Sequence, residues 1–232
     1  TENSMQEKIA VNLTNIKQRI EKNASDNNAN SAEVKIIAVS KKKDFSLIKI
    51  ANNLGVKDFG ENYAQELKTK AEMVNDEEIS WHFIGPIQSN KVKLIAKHAH
   101  WVHALDREKI IFKLNDECEK QSKLINGFIQ VNISSEDSKS GCNPDNFIEL
   151  AKLIKSMKNI DLKGIMALPK LTDNRLDRME TMNKVINLSN KLKGHFPEAK
   201  YISMGTTSDF EDAVSVGSNV IRLGESIFGK RL

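Results

Sequence analysis

Val34-Lys35-Ile36-Ile37-Ala38-Val39-Ser40-Lys41 is a short apolar run that ends in an amine. Its length and β-branched content suit a strand buried in a parallel sheet. The turn after the run decides between two parallel architectures. An open dinucleotide-binding sheet carries a glycine-rich turn directly after its first strand. Here the run continues into Lys42-Lys43-Asp44, with no glycine. That counts against the dinucleotide-binding fold.

The pattern repeats outward from this run. Strand candidates are Val34–Ser40, Val56–Phe59, Ser80–Ile84, Trp101–Leu105, Gly127–Ile133, Leu162–Ala167, Tyr201–Met204 and Asn219–Leu223. Helical patterns separate them, among them Ser46–Leu54, Tyr63–Val74, Arg107–Cys118, Pro144–Met157 and Arg175–Leu192. Eight strands alternating with helices predict a single closed (β/α)8 TIM-like barrel, with an open doubly wound sheet as runner-up. Ahead of them Ile9, Leu13, Ile16 and Ile20 form one apolar stripe at helical spacing. Residues 1–30 are therefore an extra N-terminal helix and linker within one domain spanning 1–232.

Composition narrows the function classes. With 39% hydrophobic and 28% charged residues the chain is expected to be a soluble globular protein, and no apolar run reaches membrane-spanning length. The net charge is only +4, lysines alternate with acidic residues, and no aromatics interleave with a basic patch, so nucleic-acid binding is not indicated. Cys118 and Cys142 have neither metal-ligand spacing nor a disulfide framework, and no signal-peptide core is present; a cytoplasmic setting is expected.

A barrel places its chemistry at the C-terminal strand ends. Lysine there can form a Schiff base with a carbonyl, helped by partial desolvation of its amine. Side chains alternate along a strand, so Lys41 and Lys43 share a side, and Lys41 is the better placed. A solvated strand-end lysine is the alternative. Gly205-Thr206-Thr207-Ser208 precedes a helix and offers N–H groups to an anion, unless it is simply a capping box of Ser208 and Glu211. Gly224 makes a second such turn one unit on, and these last two loops often form a phosphate site together. Arg222, among Val220, Ile221 and Leu223, must face a ligand or a structural partner. His98, His100 and His103 invite a metal reading, but only Asp106 is near enough in sequence to complete a site. His82 reads as a core or rim histidine.

Together the rim segments resemble the pyridoxal 5′-phosphate homeostasis protein family, which is alanine-racemase N-terminal-domain-like. The matching pieces include Ala38-Val39-Ser40-Lys41, Phe59-Gly60-Glu61-Asn62-Tyr63, Trp81-His82-Phe83-Ile84-Gly85-Pro86, Gly164-Ile165-Met166-Ala167-Leu168-Pro169, Ser203-Met204-Gly205 and Arg222-Leu223-Gly224, in order from about Val34 to Gly229. The resemblance implies a type III pyridoxal-phosphate barrel that holds pyridoxal phosphate as an imine on Lys41. It assigns Arg222 to the pyridine nitrogen, and Ser203, Gly205, Thr206, Thr207, Gly224 and Glu225 to the phosphate. Asn62 and His82 match residues near the cofactor. The implied role is vitamin B6 cofactor homeostasis, without a reaction of its own and with apo-enzymes as recipients.

Three departures from the family pattern stand out. Lys42-Lys43-Asp44 replaces Thr-Lys-Pro, Thr206-Thr207 replaces Met-Ser, and Glu225 replaces a small hydroxyl residue. An amino-acid racemase is the rival reading, and a binding module without a covalent cofactor is another. Related racemases draw a second acid–base group from a C-terminal β-domain, which is not expected here because the sequence ends at Leu232, directly after the eighth unit. Lacking that domain's dimer surface, the protein is expected to be a monomer. Lys139, in Ser138-Lys139-Ser140-Gly141, falls on the same rim and is a candidate for assisting cofactor exchange.

Overall fold

The structure, a computed structural model, describes residues 2–26, 33–134 and 140–230. The strands are β1 (Lys35–Val39), β2 (Asp58–Glu61), β3 (Ser80–Phe83), β4 (Trp101–Leu105), β5 (Ile125–Val131), β6 (Ile160–Ala167), β7 (Tyr201–Ser203) and β8 (Val220–Leu223). All neighbours are parallel, and β8 closes onto β1 with Ile37 opposite Arg222 and Ala38 opposite Leu223. The alternation of the sequence thus becomes a closed barrel in sequential order.

The helices are α1 (Glu2–Asp26), α2 (Phe45–Asn53), α3 (Ala64–Val74), α4 (Val92–His98), α5 (Glu108–Lys120), α6 (Phe147–Ser156), α7 (Arg175–His195), α8 (Phe210–Val216) and α9 (Glu225–Phe228). Sequence periodicity does not predict α4. At seven residues it is too short for a visible period, yet it buries Val92, Ile95 and Ala96. β2 lies two residues further along than its apolar pattern indicates, because its polar ends Asp58 and Glu61 find partners inside the fold.

α1 packs the stripe its spacing specifies: Ile9, Leu13, Ile16 and Ile20 are all buried. Asn12 Nδ2 donates to the Ile227 carbonyl at 2.8 Å, and Arg19 pairs with Glu211 at 2.6 Å. That pairing removes Glu211 from the capping box suggested by sequence. α8 begins at Phe210, and its N-cap residue is Asp209 rather than Ser208.

One close approach shapes the far wall. The β5–β6 register shifts between Gly127 and Phe128, and Gly164 of β6 comes against β7. A Cβ on Gly164 would lie 1.8 Å from the Tyr201 carbonyl oxygen, so only glycine fits.

Candidate functional site

At the C-terminal ends of the strands lies a cavity of about 390 Å³. Lys41, Asn62, Thr206, Thr207, Arg222 and Glu225 line it, with Val39, Ile84, Pro86 and Leu168 as its apolar wall. Gly224 also lines it, so seven of the expected site residues meet in one space of ordinary small-molecule size.

Lys41 arrives there by a turn, not by continuing the strand. β1 ends at Val39, the Lys43 N–H bonds the Ser40 carbonyl at 3.0 Å, and Lys42 adopts φ 59°. The strand alternation expected for Lys41 to Lys43 is therefore broken. Lys41 is exposed and lines the cavity, whereas Lys42 and Lys43 line only an adjoining space of about 200 Å³.

Arg222 is 5% exposed and spends one donor, Nη2, on the Ala167 carbonyl at 3.3 Å. Its Nε is buried without a partner, as is the Asn62 side-chain oxygen. Such groups are costly to leave unmatched, and both belong to residues that line the cavity. Burial lowers the guanidinium to about 10, opposed by Asp209, so it stays cationic at neutral pH.

The two glycine-containing turns adjoin each other. Thr207 Oγ1 lies 3.0 Å from Ser226 Oγ and accepts from the Ser226 N–H at 3.2 Å. The Thr206 N–H is already committed to Asp209 at 2.8 Å. Gly205 does not line the cavity. It sits at φ +113°, where a Cβ would come 2.9 Å from Ala213 Cβ, so it lets the turn pack against α8.

His82 and Ser203 also lie away from the cavity lining. They belong to a chain of hydrogen bonds through the barrel interior. His82 Nε2 meets Asp58 at 2.8 Å, His82 Nδ1 meets His103 Nε2 at 2.9 Å, and His103 Nδ1 meets Ser203 Oγ at 2.8 Å. Trp101 stacks on His82 at 5.2 Å, and Phe128 packs on His103 at 4.4 Å.

Protonation states fix the direction of this chain. Burial would raise Asp58, but His82 and Lys35 hold its carboxyl below the usual range. Burial also holds both imidazoles below their ordinary value, His103 far below it. With Asp58 anionic and both rings neutral, His82 Nε2–H donates to Asp58 and His103 Nε2–H donates to His82. Ser203 Oγ–H must then donate to His103. The Ser203 hydroxyl proton is thus committed to His103.

The three clustered histidines scatter. His103 joins the interior chain, His100 Nδ1 accepts the Trp81 N–H at 2.8 Å, and His98 lies 3.8 Å from Glu72. Among the described residues, no group of three histidine, cysteine or acidic side chains is placed to hold a metal ion. Nor, among them, is any helix long and apolar enough to cross a membrane. Lys139 lies outside the described residues.

Sequence reasoning missed His103 as the link between His82 and Ser203, and it missed Lys70 altogether. A further cavity of about 410 Å³ opens at the opposite end of the barrel, beside Lys17, Lys35, Asp58 and Tyr201. None of the expected site residues lines it.

Residues 11–231 match the family "Alanine racemase, N-terminal domain". The chain belongs to that family. It is 41% identical over 227 residues to the pyridoxal phosphate homeostasis protein of Haemophilus influenzae, covering 96% of each chain. The protein of that name in Escherichia coli K12 is 36% identical, over 96% of this chain and 97% of its own. Among solved structures, PipY of Synechococcus elongatus PCC7942 with PLP bound superposes with a TM-score of 0.79 at 25% identity, over 91% of this chain and 100% of PipY. Alanine racemase of Clostridium difficile shares the fold at 14% identity and a TM-score of 0.78, and the match covers 97% of this chain but 57% of that enzyme.

Proposed function

We propose that the mouth cavity binds pyridoxal 5′-phosphate through Lys41 and that the protein serves vitamin B6 homeostasis, holding the cofactor and releasing it to apo-enzymes. One observation carries this reading. A single cavity is lined by the Lys41 amine, the cationic Arg222, the Asn62 amide and two threonines. Those are the complements of an aldehyde, a ring nitrogen, a ring hydroxyl and a phosphate. The names of the relatives, and the PLP held by PipY, support it.

Lys41 would hold the aldehyde carbon, Arg222 the pyridine nitrogen and Asn62 the ring hydroxyl. Thr206 and Thr207, with Gly224 and Glu225 of the neighbouring turn, would receive the phosphate. Gly205 would shape that turn, and His82 and Ser203 would support it from below. When bound, the cofactor supplies a carbonyl for amines and an electron sink for carbanions. A cationic Arg222 opposes a second positive charge on the ring nitrogen, which weakens the sink.

A two-base racemase needs a second proton-transfer group facing the lysine. Neither tyrosine lines the cavity: Tyr63 is 55% exposed on the adjoining space, and Tyr201 lies at the opposite end. The names of the relatives and the cationic Arg222 proposed for the ring nitrogen lead us to read the protein as a non-catalytic cofactor carrier. Borohydride reduction of the loaded protein, then peptide mapping, is expected to find the pyridoxyl group on Lys41. A label chiefly on Lys42, Lys43 or Lys139 would overturn the assignment. Enzyme-level alanine racemisation abolished by Lys41→Ala would overturn the non-catalytic reading.

A further inference from the structure

The turn that carries Lys41 is gripped from behind by a buried cluster of charges. Glu61, the last residue of β2, is fully buried. Its carboxylate accepts from Ser40 Oγ and meets Lys70 Nζ at 3.0 and 3.1 Å. Lys70, 6% exposed on α3, also donates to the Ser40 carbonyl and pairs with Glu66 at 2.5 Å. Glu66 in turn accepts the Lys42 backbone N–H. The cluster thus holds the residues on both sides of Lys41.

Ordinary stability does not explain such a cluster. A buried ion pair recovers little beyond its own desolvation, and apolar residues of similar volume often serve a fold as well. What the cluster does achieve is a fixed backbone for a lysine whose neighbour sits at φ 59°. A reactive group gains from a support that locks it in place.

We propose that Glu61, Lys70 and Glu66 form a latch that positions the turn bearing Lys41, and that the charge on Glu61 sets how firmly the latch holds. This rests on the reading of Lys41 as the cofactor lysine. Glu61, Lys70 and Glu66 are positioning residues, since they act through the backbone.

Burial pushes the Glu61 carboxyl up to about 7, with Glu66 adding to the rise and Lys70 and Ser40 opposing it. Ser40 faces it from the β1 turn, and Lys70 and Glu66 face it from α3. Burial would raise Glu66 too, but Lys70 and the Lys42 N–H outweigh it and keep that carboxyl below its ordinary value. Glu66 therefore stays anionic while Glu61 titrates. Ionised Glu61 completes the grip on Ser40 and Lys70. Protonated Glu61 releases its ion pair and leaves Lys70 to Glu66 and the Ser40 carbonyl.

Pyridoxal phosphate titrated into apo wild type and Glu61→Gln, from about pH 6 to about pH 8, separates the latch from every pH effect that the two proteins share. The ratio of affinities is expected to be near unity at the acid end. It is expected to reach about five-fold in favour of wild type at the alkaline end, the equivalent of one net hydrogen bond. Ser40→Ala removes a donor that holds the Glu61 pKa down, so the step in affinity is expected to move to higher pH. This small change decides the matter if Glu61→Gln does not fold. A ratio independent of pH, or an unmoved step in Ser40→Ala, would sink the latch. Peptide mapping of borohydride-reduced wild type keeps the two readings apart. A label on Lys41 with a flat ratio defeats the latch alone, and a label elsewhere defeats the reading of Lys41.

Discussion

The Glu225 carboxylate opens α9 beside the cavity, where the resemblance expects a small hydroxyl residue. Two opposing effects act on it. The positive end of a helix favours a carboxylate, while a bound phosphate of charge about −1.5 to −2 repels one. Its side chain is exposed, so water and salt screen that repulsion heavily. Glu225→Ser is therefore expected to tighten pyridoxal phosphate binding by no more than about three-fold at physiological salt, and by more as ionic strength falls. Titrations of both apo-proteins at two salt concentrations measure this. Weaker binding in the variant would mean that the carboxylate orients a neighbouring donor.

Across β2, β3, β4 and β7 the chain Asp58–His82–His103–Ser203 makes the barrel interior a directed row of hydrogen bonds. Ser203→Ala removes the last donor and leaves His103 Nδ1 buried and unmatched. Loss of about 1–3 kcal/mol in urea unfolding at neutral pH is expected, and no loss would overturn the proton assignment. The row also sets an acid limb. Both imidazoles have folded pKa values below the unfolded one, so the folded state binds fewer protons. Their contribution to stability is present above about pH 6.5 and is lost as pH falls below it toward the folded values. Replacing both with glutamine is expected to flatten the fall in stability below that pH. An unchanged slope would place the acid sensitivity elsewhere.

At the scale of the molecule, closure of the ring leaves no strand edge among the described residues, and α1 spans α2, α8 and α9 on the outside. Trp81 is buried in β3, and the half-buried Trp101 stacks against His82 and Phe128. Indole fluorescence therefore reports on the barrel, while far-UV circular dichroism weights the helices, α1 among them. A barrel and strap that share one core should unfold together. Coincident urea transitions by the two signals are expected. An earlier loss of helix signal would show that α1 detaches first and that the chain holds two units.

The sequence alone marked eight strands, the helix α1 and the strand-end placement of Lys41, Arg222 and the two glycine turns, while closure of the sheet and the turn that carries Lys41 came from the tertiary structure. The former rest on local periodicity and on the rule that barrel chemistry sits at strand ends, and both are visible along the chain. The short α4 and the polar ends of β2 were not legible, because neither has the apolar period that marks an element. Tertiary structure decided which partners the buried polar groups take. His103 joins His82 and Ser203 across 21 and 100 residues of chain, and Lys70 reaches Ser40 across 30. Only the Glu66–Lys70 pair, one helical turn apart, had a sequence signature. Such partnerships depend on the register of strands and the seating of helices. A buried donor must pair with whatever acceptor closure brings within reach, and no local pattern encodes that choice.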